Sequence, residues 1–366
     1  MKKLAIITFH ETNNFGALFQ TFGLYKKLND LGYDCSILDY QCANMIKMGE
    51  IPQPFHFSLN PKTLAIEYLY KRHRRRKHQA MLDFSHEYMS KMTKRYDINT
   101  VKNIEEKFDA FIVGSDMLWG LDMTGHDYSY FLDFVPKGVR KLSYAPSFGA
   151  DWNDEEKAKI KSLLADFSFI SVRENITADR LEKMIGKRPD VVCDPTMLLT
   201  PDEWKHYVSD KYAHEKYVLV YFITDDEKTV EDAKRYAKAR GLKVYYVYGN
   251  LKQWQCKLVT PYRPEDFLSL IYYADTVFTA SFHGLSFALY FNKNFFYYCR
   301  KPAQRSQQLA AIAGCEGREG TNMKSVDFDN APALDFKSIN KRMEDYRNSS
   351  IKKIIFALAD NQANND

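Results

Sequence analysis

Short apolar runs that stop at small or polar residues and then feed a helical pattern recur along this chain, and they dictate what it can fold into. The first run covers residues 4–9, passes the turn Asn13-Asn14-Phe15-Gly16, and enters a segment of helical periodicity over 17–31. Gly32 ends that helix, and residues 35–40 read as the next strand. Parallel neighbours need a long crossover, so a strand–loop–helix–strand unit of this kind opens a doubly wound parallel sheet. Further strands are expected at 108–113, 141–144, 169–172 and from Val191, with a helix over 154–165. A second series begins after 201–217: strand 217–222, helix 226–240, strand 243–248, helix 263–274, strand 276–279 and strand 294–299. A chain of 366 residues is too long for one core. The reading is therefore α/β, with two Rossmann-like domains facing across a cleft, 1–200 and 201–366. An amphipathic tail over 335–359 is expected to pack back across both.

Composition narrows the function classes. Apolar residues make up 45% and charged residues 27%, which excludes global disorder. A net charge of +5 gives no case for a nucleic-acid binder. The six cysteines show no CxxC or metal-finger spacing and read as free thiols in a reducing cytoplasm. The apolar run after Lys2-Lys3 is too short for a signal peptide, and no stretch is long enough to span a bilayer. The protein is therefore expected in the cytoplasm. Residues 64–92 read as one long helix carrying the basic run Lys71-Arg72-His73-Arg74-Arg75-Arg76-Lys77-His78. That run fits a solvated helix face, or an electrostatic contact with anionic lipid head groups at the inner face of a membrane or with an acidic glycan.

The strand at 276–279 opens onto Thr279-Ala280-Ser281-Phe282-His283-Gly284. A strand that ends in a small-residue turn and starts a helix aims backbone N–H groups at one spot, an anion site. Ser281 is placed to cap that helix, and His283 to act as general acid or base. The same turn also fits a buried β–α junction with a satisfied histidine. Arg173 directly follows a strand, where a guanidinium can clamp a carboxylate or phosphate, or pair with Glu174. Arg300 and Arg305 follow the last strand, with either a surface role or a place at the same anion. Asp116 and Asp194 terminate strand-like runs, where each can accept a sugar hydroxyl or cap the next segment. Trp119 suits a sugar-stacking platform or ordinary packing. No metal spacing is visible among the histidines.

Taken in order, the motifs resemble the polysaccharide pyruvyl transferase family. They are Asn13-Asn14-Phe15-Gly16-Ala17 with Gln20, Val113-Gly114-Ser115-Asp116-Met117-Leu118-Trp119, Tyr144-Ala145-Pro146-Ser147-Phe148-Gly149, Ile170-Ser171-Val172-Arg173-Glu174, Asp194-Pro195-Thr196-Met197-Leu198-Leu199 and Thr279-Ala280-Ser281-Phe282-His283-Gly284. The resemblance covers roughly residues 1–325. It implies a fold like that of the GT-B glycosyltransferases, with no cofactor beyond phosphoenolpyruvate as donor. The implied reaction moves pyruvate onto two hydroxyls of a sugar or lipid-linked glycan, closing a cyclic ketal and releasing phosphate. His283 would be catalytic, and Arg173, Ser281, Gly284 and Arg305 would hold the donor. Asn13, Asn14, Gly16, Asp116 and Trp119 would face the acceptor. Ala280 and Ser281 stand where many members carry an acid and an arginine, so either Arg300 or Arg305 supplies the missing charge or the donor differs. The alternatives are a nucleotide-sugar glycosyltransferase of the same fold, or a glycan-binding homologue without catalysis.

Overall fold

The computed structural model describes residues 1–48, 61–222, 227–247, 256–299 and 304–359. The chain forms two compact units, Met1–Leu199 with Arg347–Asp366, and Thr200–Tyr346. Each unit is built on a five-stranded, all-parallel sheet.

In the first unit the strands are β1 (Lys3–Ile7), β2 (Asp34–Ile37), β3 (Ala110–Val113), β4 (Arg140–Ser143) and β5 (Phe167–Phe169), in the order β2-β1-β3-β4-β5. The strand expected over 169–172 breaks at Ile170. Its second part, β6 (Ser171–Val172), leaves the sheet to pair with β7 (Asp190–Val191). The cause is local. The Ser171 hydroxyl donates to the Ser143 carbonyl at 2.7 Å, and the Ser171 N–H donates to the Ser143 hydroxyl at 2.9 Å. Side-chain bonds thus replace the backbone ladder between β4 and β6.

The second unit carries β8 (Tyr217–Tyr221), β9 (Lys243–Val247), β10 (Lys257–Val259), β11 (Thr276–Thr279) and β12 (Asn294–Tyr297), in the order β10-β9-β8-β11-β12. The short edge strand β10 has no sequence pattern long enough to announce it. The core of this unit is largely aromatic: the Phe278 and Phe296 rings lie 5.2 Å apart, and Phe296 meets Phe328 at 4.8 Å. Packing accounts for these aromatics, as it does for the stacked Tyr217 and Tyr245 at 4.3 Å.

Both sheets reverse their strand order once, between β1 and β3 in the first and between β8 and β11 in the second. Ligands of open α/β sheets bind beyond the carboxyl ends of strands at such reversals. The fold therefore nominates two loop sets, those after β1 and β3 and those after β8 and β11.

The first unit's helices are α1 (Phe15–Asp30), α2 (Ala43–Lys47), α3 (Pro61–Tyr88) and others further along the chain. Helix α1 is buried nearly all round, from Phe15 through Tyr25, because it is covered on several sides. Phe84 of α3 meets Phe19 and Phe22 edge-on at 6.1 and 5.3 Å. Gly23 lies against the turn Pro195–Leu198, where an added Cβ would overlap the Pro195 carbonyl oxygen. The sequence reading numbers the long last helix, Phe336–Leu358, with the second domain and expects it to pack back across both; from Arg347 on it groups with the first unit. Ser350 accepts there from the Cys193 N–H at 2.9 Å, Arg347 Nε donates to the Met197 carbonyl at 2.9 Å, and Lys353 Nζ donates to that of Val191 at 3.1 Å.

Gly23→Ala is expected to destabilise the first unit by about 1–3 kcal/mol, since the opposing atom is backbone and yields only with the whole turn. Denaturant unfolding of the variant beside the wild type measures this.

Candidate functional site

At the reversal of the first sheet, the residues after β3 and β4 share one device. Asp116 and Ala145 both adopt positive φ, 81° and 57°, and Asp116 bridges to Pro146. Non-glycine residues in that region are held there at a cost, and such strain concentrates at functional sites. Asp116 and Met117 keep part of their surface open, whereas Ser115 before them and Leu118 and Trp119 after them are buried.

Beneath it lies a buried polar lattice. The Arg173 guanidinium, 3% exposed, donates from Nε to Glu174 at 2.7 Å, from Nη1 to Asp194 at 2.9 Å and from Nη2 to the Ser147 hydroxyl at 2.8 Å. Gln20 of α1 donates to Asp194 at 2.6 Å and to Ser115 at 3.0 Å. The second Asp194 oxygen accepts from the Thr196 N–H and hydroxyl at 3.0 and 2.8 Å. Burial disfavours the charge on Arg173, but Glu174, Asp194 and Asp116 outweigh it and hold its pKa above the ordinary value. The expected donor clamp is thus an internal clamp that fixes the turns after β3, β4, β6 and β7.

Three more expectations change. Trp119 has no exposed surface. Its indole N–H donates to the Tyr130 carbonyl at 3.0 Å and its ring stacks on Phe131, so it is core and offers no sugar platform. Asn14 is the N-cap of α1 and accepts the Gly16 N–H at 2.9 Å, which commits both residues to the helix end. Asn13 beside them differs: both polar atoms of its amide are buried without a hydrogen-bond partner.

At the reversal of the second sheet, helix Phe282–Tyr290 starts at the end of β11 with Ser281 as its N-cap. The Thr279 hydroxyl donates to the Tyr221 carbonyl at 2.6 Å and accepts the Ser281 N–H at 3.0 Å, tying the ends of β8 and β11 together. His283 sits in the first turn, 8% exposed, with its ring edge-on to Phe282 at 5.3 Å. Gly284 donates its N–H to Ser281 over a long 3.5 Å. A Cβ there would collide with Thr279 and Tyr221, so the glycine serves helix–strand packing. Tyr221, which sequence reasoning passed over, hydrogen-bonds Ser281, and burial raises its phenol to about 12, so it remains a neutral hydroxyl. Arg305 is exposed on helix Gln304–Ala313, and Arg300 lies outside the described residues.

Sequence reasoning also missed a charged cluster beyond β1 and β2. His10 Nε2 lies 3.0 Å from Asp39, and His78 Nε2 lies 3.3 Å from Glu11. Arg95 joins the two pairs, with Nε 3.0 Å from Asp39 and Nη2 2.9 Å from Glu11. His10, Glu11 and Asp39 offer ligand atoms within 4.8 Å of one another, the one such group among the described residues. The Arg95 guanidinium already occupies the cationic position against both carboxylates, so the donor set does not suit a metal ion. No short motif links these residues; each reads alone as a stray polar side chain. Of the basic run, Lys77 turns inward to lie 4.2 Å above the Phe15 ring, and His78 joins this cluster. Arg72, Arg75 and Arg76 are exposed, and the Lys71 side chain lies outside the described residues.

Two variants probe these networks. Arg173→Ala strands buried Asp194 and Glu174 and is expected to cost about 3–5 kcal/mol of stability in denaturant unfolding. In the charged cluster the Glu11 carboxyl is held below its ordinary pKa, chiefly by His78 and then by Arg95. Burial is the largest influence on Asp39 and acts upward, but His10 and Arg95 outweigh it and lower that carboxyl too. A depressed carboxyl contributes stability above its unfolded value, about 4, and loses it as pH falls through the folded value. Arg95→Ala raises the folded values, so acid unfolding followed by circular dichroism is expected to begin at a higher pH.

Comparisons agree with this architecture. A protein described as a UDP-N-acetylglucosamine 2-epimerase from Listeria monocytogenes aligns over 97% of this chain and 94% of its own, with 11% identity and a TM-score of 0.53. UDP-bound MnaA of S. aureus aligns over 97% and 95%, with 15% identity and a TM-score of 0.51. Arabidopsis thaliana UGT89C1 with UDP-L-rhamnose aligns over 98% of both chains, with 9% identity and a TM-score of 0.53. At these identities the likeness shows the fold, a GT-B-type pair of Rossmann-like sheets. No curated protein sequence matches the chain. The model of the family described as polysaccharide pyruvyl transferase matches residues 14–298, a span that takes in the Asp116 turn, the Arg173 lattice and the His283 turn and begins at the end of the loop after β1. The chain belongs to the polysaccharide pyruvyl transferase family.

Proposed function

We propose that this protein transfers pyruvate from phosphoenolpyruvate to two hydroxyls of a sugar in a cell-surface polysaccharide or its lipid-linked precursor, forming a cyclic ketal and releasing phosphate. The observation that carries the reading is the turn at the reversal of the second sheet, where His283 lies in the first turn of a capped helix next to Ser281 and the Tyr221 phenol. A helix N-terminus suits the compact anionic donor, and the imidazole suits proton delivery. No protein cofactor is needed: phosphoenolpyruvate is a substrate, and its enol phosphate supplies the reactive carbon and the leaving group.

The residues divide the work. On the donor side, His283 supplies the proton to the methylene carbon or assists phosphate departure, while Ser281 and Gly284 hold the turn and Arg305 adds positive charge. On the acceptor side, Asn13 and the strained Asp116 face sugar hydroxyls. Arg173 acts as a positioning residue that keeps Asp116 and its turn in place. No helix among the described residues is long and apolar enough to cross a membrane. In this reading a lipid-linked acceptor is met at the cytoplasmic face of the bilayer, with the exposed arginines of α3 toward its anionic head groups.

His283→Ala is expected to fold normally by circular dichroism and to lose turnover by about 10²–10⁴-fold, the contribution of a general acid–base group. Phosphate release from phosphoenolpyruvate in the presence of a glycan acceptor reads the loss, and unchanged release would remove His283 from the mechanism.

A further inference from the structure

The charged cluster beyond β1 and β2 contains a proton acceptor with no proton donor facing it. Glu11 is an ionised carboxylate, held so by His78 and Arg95, and an ionised carboxylate only accepts hydrogen bonds. At 3.3 Å from Glu11, His78 Nε2 must therefore carry the ring proton. In the Nε2–H tautomer the lone pair lies on Nδ1, and that atom is buried with no hydrogen-bond partner. Two residues along the loop from Glu11, both amide atoms of Asn13 are buried and unmatched as well, as is Gln20 Oε1 on α1. Buried polar atoms without partners are costly and rare, and both His78, paired with Glu11, and Asn13, two residues on from it, carry them at the Glu11 loop.

The unmatched set has a definite chemistry. It offers two acceptors of neutral type, an amide donor with its own acceptor, and no cation. Sugar hydroxyls, each both donor and acceptor, match it; a phosphate, which mainly accepts, finds too few donors. The Arg95 guanidinium, 52% exposed and bonded to both carboxylates, fixes Glu11 and through it the tautomer of His78. The arrangement has the nucleophile–base–orienter logic with the nucleophile left for the ligand to bring.

We propose that His78, oriented by Glu11, is the base that takes the proton from an acceptor-sugar hydroxyl, with Asn13 holding a neighbouring hydroxyl. This rests on the pyruvyl-transfer reading and completes its proton count. The sugar O–H bond breaks as the oxygen lone pair forms the bond to C2 of the donor, protonated at its methylene carbon. The hydroxyl proton passes to Nδ1. When the second hydroxyl attacks, the C2–O(phosphate) bond breaks with its electron pair on the phosphate, which accepts a proton. His78 is then a catalytic residue and Glu11 a positioning one, and the inward end of the basic run belongs to the acceptor site.

The test uses the full chain as wild type, His78→Gln and Glu11→Gln. Spectra of ¹⁵N-histidine-labelled protein, with His78→Gln assigning the signal, are expected to show His78 protonated on Nε2 and bare on Nδ1. Glu11→Gln is expected to lose that single tautomer. An Nδ1–H tautomer in wild type overturns the proposal, whether or not the protein turns over substrate. Turnover is read separately as phosphate release from phosphoenolpyruvate with a methyl hexoside as probe acceptor. His78→Gln is expected to bind phosphoenolpyruvate as wild type does and to lose about 10²–10⁴-fold in kcat, partly restored by added imidazole in His78→Ala. Undiminished kcat in His78→Gln overturns the assignment. A wild type that binds no phosphoenolpyruvate overturns the pyruvyl-transfer reading instead, and the tautomer result then decides the His78–Glu11 pair alone.

Discussion

The carboxylate of Asp194 is the interaction on which the first unit's edge depends. It gathers α1 through Gln20, the turn after β6 through Arg173 and its own turn through Thr196, and it has no exposed surface of its own side chain. Arg173 carries the tie onward to Ser147, whose N–H holds the Asp116 carbonyl at 2.8 Å. Charge-assisted bonds in a buried setting are strong, and here the lattice fixes four turns at once. The positive φ of Asp116 and Ala145 persists because these neighbours over-determine it.

The second unit reaches the same end by other means. Its reversal point is tied by one threonine hydroxyl between β8 and β11 and by the close approach that Gly284 allows. The His283 turn is thus a packed, capped junction set on an aromatic core, and both edges present their chemistry where a doubly wound sheet must present it. The two units differ in strand order, so the shared principle is the reversal and not a repeated sequence.

Much of this was legible in the sequence, for identifiable reasons. The buried parallel strands showed as apolar runs, and β11 falls on 276–279 as read, because a strand covered on both faces leaves no ambiguity of period. Ser281 as a cap and Arg173 beside a carboxylate were legible from local order alone. Three things were not. The split at Ile170 depends on serine side chains meeting across strands, and the burial of Trp119 depends on Phe131 and Tyr130 folding over it. The His10–Asp39 and His78–Glu11 pairs join residues far apart in the chain through Arg95, and no spacing rule reaches that distance. The basic run misled most, since composition registers its charge but not that Lys77 and His78 lie on the buried side of α3.

The central claim is that the donor is phosphoenolpyruvate. Calorimetric titration of phosphoenolpyruvate into the wild-type chain, with a uridine diphosphate sugar titrated in parallel, tests it most directly. The account predicts saturable binding of phosphoenolpyruvate at one site per chain and none of the nucleotide sugar. Binding of the nucleotide sugar with no heat from phosphoenolpyruvate would contradict it, leaving a GT-B fold and a different chemistry.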